Sequence, residues 1–123
     1  MSKVLVVDDS AVYRKAVSMA LVEQGLTTLS ARTGEEGIKV ANAEMPSLIL
    51  LDMLMPKLDG MMFLRLLRGA PQTRNIPVIV LSGNNHERDV AAARALGVVD
   101  YYSKETMDAA DLAAVVWRHL RRN

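Results

Sequence analysis

Apolar and polar positions divide the chain into short aliphatic runs that alternate with longer amphipathic segments. Lys3 to Val7 is β-branched and aliphatic and ends in Asp8-Asp9, which predicts a strand. Ser10 stands where a helix N-cap belongs. Apolar residues then recur at Val12, Tyr13, Ala16, Val17, Ala20 and Leu21, the spacing of one helix face, and Gly25 is a suitable stop. Leu26 to Ala31 predicts a second strand, and Thr33 to Ala43 a short helix with Ile38, Val40 and Ala41 turned inward, ended by Pro46. Leu48-Ile49-Leu50-Leu51 is unbroken aliphatic, as a strand buried on both faces requires. A Met-rich helix follows from Asp59 to Arg68, closed by Gly69-Ala70-Pro71. Val78 to Ser82 is another apolar strand with a polar end, and His86 to Leu96 a helix stopping at Gly97. Val98 to Ser103 is the fifth strand, ending at Lys104. Asp108 opens a last amphipathic helix through Leu112, Val115, Val116 and Leu120. Its acids, Asp108 and Asp111, lie at its start and Arg118, Arg121 and Arg122 at its end, as the helix dipole prefers.

Strand and helix thus alternate five times, which implies α/β: a parallel sheet with helices on both faces. Right-handed crossovers restrict the order, and the doubly wound, flavodoxin-like 2-1-3-4-5 fits five strands best. The expectation is one three-layer domain over residues 1–123. Composition narrows the function classes. Half the residues are hydrophobic, enough for one core, and a net charge of +1 does not call for a polyanionic partner. The absence of cysteine excludes disulfides and thiolate metal sites and fits a reducing compartment. The amino-terminal apolar run is too short for a signal peptide, and no run approaches membrane-spanning length. A soluble cytoplasmic domain is expected.

In this strand order the carboxyl ends of strands one and three are neighbours, on the edge where open α/β sheets bind ligands. They carry Asp8, Asp9 and Asp52. Three adjacent carboxylates repel one another, and a hard divalent cation relieves this. Oxygen-only ligation by few protein groups suits Mg²⁺. Strand four ends in Ser82 and strand five in Lys104. Three acids, a hydroxyl and an ammonium suit phosphoryl transfer: a carboxylate attacks while cations and the hydroxyl hold the phosphoryl oxygens. Each residue also has a plainer reading. An Asp8-Asp9 turn can cap a helix, Ser82 can bond its own loop, and Lys104 can be solvated. Their joint placement on one edge favours the chemical reading.

Val6-Val7-Asp8-Asp9-Ser10, Leu51-Asp52-Met53-Leu54-Met55-Pro56-Lys57-Leu58-Asp59-Gly60, Pro77-Val78-Ile79-Val80-Leu81-Ser82-Gly83 and Gly97-Val98-Val99-Asp100-Tyr101-Tyr102-Ser103-Lys104 resemble the receiver domain of two-component response regulators, end to end. The resemblance implies that Asp52 accepts a phosphoryl group from a phospho-histidine on a histidine kinase or phosphotransfer protein. It implies Mg²⁺, with Mn²⁺ able to substitute, held by Asp9, Asp52 and the backbone carbonyl of Leu54, and by Asp8 through water. Ser82 and Lys104 would hold the phosphoryl group, and Ser82 and Tyr101 would form the switch. Tyr101 can equally be a half-buried strand residue with a wet hydroxyl, and Tyr102 is expected on the opposite sheet face. Output would lie at the surface of helix four, strand five and helix five, through a partner or a phosphorylation-driven homodimer. Membrane association and direct nucleic-acid binding are not expected, and catalysis is limited to the domain's own phosphorylation and dephosphorylation.

The family usually has a cis proline after the lysine. Here Glu105 takes that place, so a trans bond, or a strained cis one, and an altered loop are expected. Leu54 is apolar where some members are polar, which could shield an acyl phosphate from water. Met53, Met55, Met61 and Met62 read as packing rather than a binding surface, and His86 and His119 as solvated helix residues. The alternative reading is a docking module of this fold that does not use phosphate. A cap-bearing aspartyl phosphatase needs a longer chain and a second acid two residues past Asp52, and a nucleotide site needs a Gly-rich loop after strand one.

Overall fold

In the computed structural model, residues 2–53, 55, 58–83 and 87–121 are described. The elements run β1 (Lys3–Val7), α1 (Ala11–Glu23), β2 (Thr27–Ala31), α2 (Gly34–Glu44), β3 (Leu48–Leu51), α3 (Gly60–Gly69), β4 (Val78–Ser82), α4 (Glu87–Ala95), β5 (Val98–Ser103) and α5 (Ala109–Leu120). All pairings are parallel, in the order β2-β1-β3-β4-β5. This is the doubly wound order expected from the alternation.

Side-chain alternation along the strands builds two cores. Leu5, Val7, Ile49, Leu51 and Val80 face the side where Phe63, Leu64 and Leu67 of α3 and Ala93 of α4 pack. Val4, Val6, Leu48, Leu50, Ile79 and Leu81 face the opposite side, with Val17 and Leu21 of α1 and Leu112 and Val116 of α5. The unbroken aliphatic run of β3 is therefore buried along its whole length. Ser10 caps α1 as expected, and the residues read as opening α2, α3 and α5 prove to be caps too. Ser10, Thr33, Asp59 and Asp108 each accept a backbone N–H of the following helix, and Gly25 and Gly97 take the left-handed φ (86° and 83°) that ends α1 and α4.

Several side chains depart from the expected faces. Val12 is 81 % exposed, because α1 rests on Val17 and Leu21 and leaves its first turn at the rim. His119 is not solvated. Its Nε2 lies 2.7 Å from Asp100 Oδ2, which also accepts the Tyr102 hydroxyl at 2.9 Å. Asp100 and Tyr102 alternate onto the sheet face that α5 covers, so His119 meets them across that packing. Arg118 donates to the Tyr102 hydroxyl at 3.3 Å, so this part of the basic helix end serves an internal network. Met53 and Met55 are buried, as packing requires, whereas Met62 is exposed. His86 and Arg122 lie outside the described residues.

Arg68, at the carboxyl end of α3, ties the edge opposite the acidic cluster together. Its guanidinium donates to the carbonyls of Leu96, Arg74, Ile76 and Gly97 at 2.7–3.3 Å. Arg68→Ala would leave these carbonyls, with the bonds to Leu96 and Ile76 part-buried, without their charged donor. We expect a loss of about 2–3 kcal/mol, read as a lower urea midpoint, since hydrogen bonds to charged groups are individually strong but not additive.

Candidate functional site at the carboxyl edge of the sheet

Strand register brings the acids together. Val7 pairs with Leu51, so Asp8 and Asp52 leave the sheet side by side. The Asp52 N–H donates to the Val7 carbonyl (3.0 Å) and the Asp8 N–H to the Ala31 carbonyl (3.1 Å), which extends the ladder one residue past each strand end. Asp8 is held again beyond it. One of its carboxylate oxygens accepts the Ser10 N–H at 2.9 Å, and its carbonyl accepts Arg14 Nη1 at 2.6 Å. Asp8, Asp9 and Asp52 each offer a carboxylate oxygen within 4.8 Å of the others, with Asp8 and Asp52 buried and Asp9 exposed. A buried pair of hard oxygens with one solvent-facing acid fits Mg²⁺, which keeps part of its water shell. The Leu54 carbonyl lies outside the described residues.

Lys104 enters from the far side. Its N–H donates to the Ser82 carbonyl at 3.2 Å, just past the Ser82–Ser103 pair. Its ammonium lies 2.6 Å from Asp8 and 3.3 Å from Asp52. With Glu105 following it, Lys104 reaches both acids. There is no cis peptide among the described residues, so the Lys104–Glu105 bond is trans. Ser103 organises the turn instead: its Oγ accepts the Glu105 N–H and its carbonyl the Met107 N–H, both at 3.2 Å. Ser82 is fully buried at the end of β4. Tyr101 is half-buried against the α3/α4 side, opposite Tyr102 as expected.

Two residues that sequence reasoning passed over complete the site. Arg14 fixes the Asp8 carbonyl, and the Tyr13 ring lies beneath Lys104, with Nζ 4.4 Å from its centroid. Position alone offered a signal: both lie in the first turn after the acid pair.

The electrostatics follow from this crowding. Burial opposes the Lys104 ammonium, but the hydrogen bond to Asp8 and the charges of Asp52 and Asp8 outweigh it, so its pKa is raised. Burial, then Asp8, then Asp52, push the Tyr13 phenol up to about 12. Tyr101 is raised by burial and by Asp89 and Asp52, against the pull of a hydrogen bond with Ser82. A group whose pKa rises on folding contributes stability below its unfolded value and loses it as pH climbs through the folded one. Unfolding free energy is therefore expected to fall above about pH 10, where unfolded tyrosine and lysine titrate. Urea midpoints at pH 9 and pH 11 check this, and phenolate absorbance from Tyr13 in the folded protein is expected to lag behind that of an ordinary tyrosine.

Comparison with known proteins decides the family. A family model for the response regulator receiver domain matches residues 4–116. The chain belongs to this family. The receiver domain is 39% identical over 104 residues to the KDP operon transcriptional regulatory protein KdpE of Escherichia coli K12, covering 85% of this chain and 45% of that protein. It is 33% identical over 104 residues to Protein PilH of Pseudomonas aeruginosa, covering 85% of this chain and 86% of PilH. Among solved structures, chemotaxis protein CheY4 of Vibrio cholerae superposes with a TM-score of 0.88 at 27% identity, covering 96% of this chain and 98% of that one. The receiver domain spans less than half the length of the first transcriptional regulators it matches. Membership places it among phosphorylation-dependent signalling domains of two-component systems. No described helix is long and apolar enough to cross a membrane.

Proposed function

We propose that this receiver domain accepts a phosphoryl group on Asp52 from a phospho-histidine of a histidine kinase or phosphotransfer protein. The observation that carries the reading is the convergence of Asp8, Asp9 and Asp52 with Lys104 on one sheet edge. An Asp52 carboxylate oxygen attacks phosphorus. The O–P bond forms as the N–P bond breaks, and the imidazole leaves with the bonding pair. Lys104 neutralises charge on the transferring group, and Ser82 binds one of its oxygens. Asp8, Asp9 and Asp52, with the Leu54 carbonyl, would hold Mg²⁺ or Mn²⁺, which supplies further neutralisation of phosphoryl charge. An apolar Leu54 slows hydrolysis of the acyl phosphate.

The phosphorylated aspartate then biases two pre-existing arrangements of Ser82 and Tyr101, and with them the α4, β5 and α5 surface. Ser82 and Tyr101 already share a hydrogen bond, so a change at one is felt at the other. That surface engages an output protein or domain, or a second copy, rather than nucleic acid. The unit that acts is one domain over residues 1–123, in the cytoplasm, without turnover of an outside substrate.

The test is intact mass after incubation with a small acyl phosphate, with and without Mg²⁺, for wild type and Asp52→Asn. One phosphoryl adduct needing both Mg²⁺ and Asp52 is the expected result. A folded wild type that takes up nothing under either condition points instead to a docking module that does not use phosphate.

A further inference from the structure

We propose that Tyr13 is a positioning residue for Lys104, its ring serving as the platform that keeps the ammonium over the acidic edge. The inference rests on the phosphoryl-transfer reading of this site. Lys104 Nζ lies 4.4 Å from the Tyr13 centroid, well inside the range of a cation–π contact. The ammonium also meets the carboxylates of Asp8 and Asp52. Those are the atoms a divalent cation and the incoming phosphorus would claim. Among these three partners, the ring is the one that neither would displace.

The backbone around both residues is fixed for this purpose. The Tyr13 N–H donates to Ser10 Oγ at 3.2 Å, and Ser10 is in turn held by Asp8, so the ring is indexed to the acidic turn. With Glu105 in place of a proline, the Ser103 turn sets the course of the chain after Lys104, and the ring supplies restraint at the other end of the side chain. The Tyr13 hydroxyl is buried and has no hydrogen-bond partner among the described residues. A position kept for its phenol would satisfy it. The ring face is the part in use, and the raised phenol pKa keeps that face uncharged.

The experiment compares wild type, Tyr13→Phe and Tyr13→Leu in the full chain. Proton shifts of the Lys104 ε-methylene are read by NMR without metal. Adduct formation from a small acyl phosphate is read at saturating Mg²⁺ as maximal rate and half-saturating donor concentration, and urea midpoints are recorded for each. Tyr13→Phe is expected to keep the ring-current shift of Lys104 and to stay within about 2-fold of the wild-type maximal rate. Tyr13→Leu is expected to lose that shift and to lower the maximal rate by about 5- to 30-fold, with the half-saturating concentration unchanged. Equal rates for the two variants would overturn the proposal. So would a Tyr13→Phe as slow as Tyr13→Leu, which would assign the role to the hydroxyl. If wild type forms no adduct, the phosphorylation reading fails. The Lys104 shift, retained in Tyr13→Phe and lost in Tyr13→Leu, then still decides whether the ring holds the ammonium.

Discussion

Lys104→Met is expected to destabilise the metal-free protein by about 2–3 kcal/mol and to slow uptake of a phosphoryl group by about 100-fold. The stability effect follows from what the ammonium leaves behind. The Asp8 and Asp52 side chains are 2% and 6% exposed and Lys104 is 23% exposed, so the acids depend on it for neutralisation. Breaking a fully buried pair costs about 3–5 kcal/mol, and partial exposure of the lysine reduces that. A divalent cation offers the same neutralisation from the other side. Added Mg²⁺ is therefore expected to raise the urea midpoint of Lys104→Met more than that of wild type, where the ammonium competes with it. Midpoints in chelator and in Mg²⁺ for both proteins make the check. Equal gains would show that Lys104 and the cation do not share these carboxylates.

The second large effect is steric. Gly60→Ala is expected to lose about 2–4 kcal/mol. A Cβ at Gly60 would lie 2.5 Å from Met53 Sδ and 2.6 Å from Met53 Cα. The thioether can swing away, but the backbone atom cannot, so the start of α3 must separate from the residue that follows Asp52. The Gly60 N–H also donates to the Met53 carbonyl at 3.3 Å, and that bond would lengthen with it. Gly69, at the other end of the same helix, has open space around it: a Cβ there would meet nothing within 4 Å. Gly69→Ala is the control, expected to be neutral or mildly stabilising. Similar urea midpoints for the two variants would show that the close approach at Gly60 carries no strain.

The sheet was legible because burial on two faces leaves an unmistakable trace: Leu48 to Leu51 and Val78 to Leu81 have no polar position to hide. The acidic edge was legible for a related reason. Asp8, Asp52, Ser82 and Lys104 each stand at or directly after a strand end, so the strand order alone brings them together. Interactions that depend on how a helix rotates against the sheet left no comparable trace. His119 read as a solvated helix residue, and its contact with Asp100 exists only because α5 presents it to the Tyr102 side of β5. Tyr13 read as one more apolar position of α1, since nothing in the sequence shows that an ammonium 91 residues away would rest on it. Glu105 announced an altered loop after Lys104, but not that Ser103 would accept the hydrogen bonds that form its turn.

Arg68 gives α4 unequal ends. The guanidinium grips the carbonyls of Leu96 and Gly97, immediately beyond the last turn of the helix, from an anchorage on α3. The other end of α4 opens toward the Ser82 edge. A tilt of this nine-residue helix about the Arg68 anchorage would move its two ends unequally. At about 1.5 Å per residue the helix is roughly 14 Å long, so a tilt of about 10° at the anchorage would carry the tip through about 2 Å. A sub-ångström adjustment beside the anchorage and a displacement comparable to an atomic radius at the tip would then be one motion, with the length of the helix as its gear ratio.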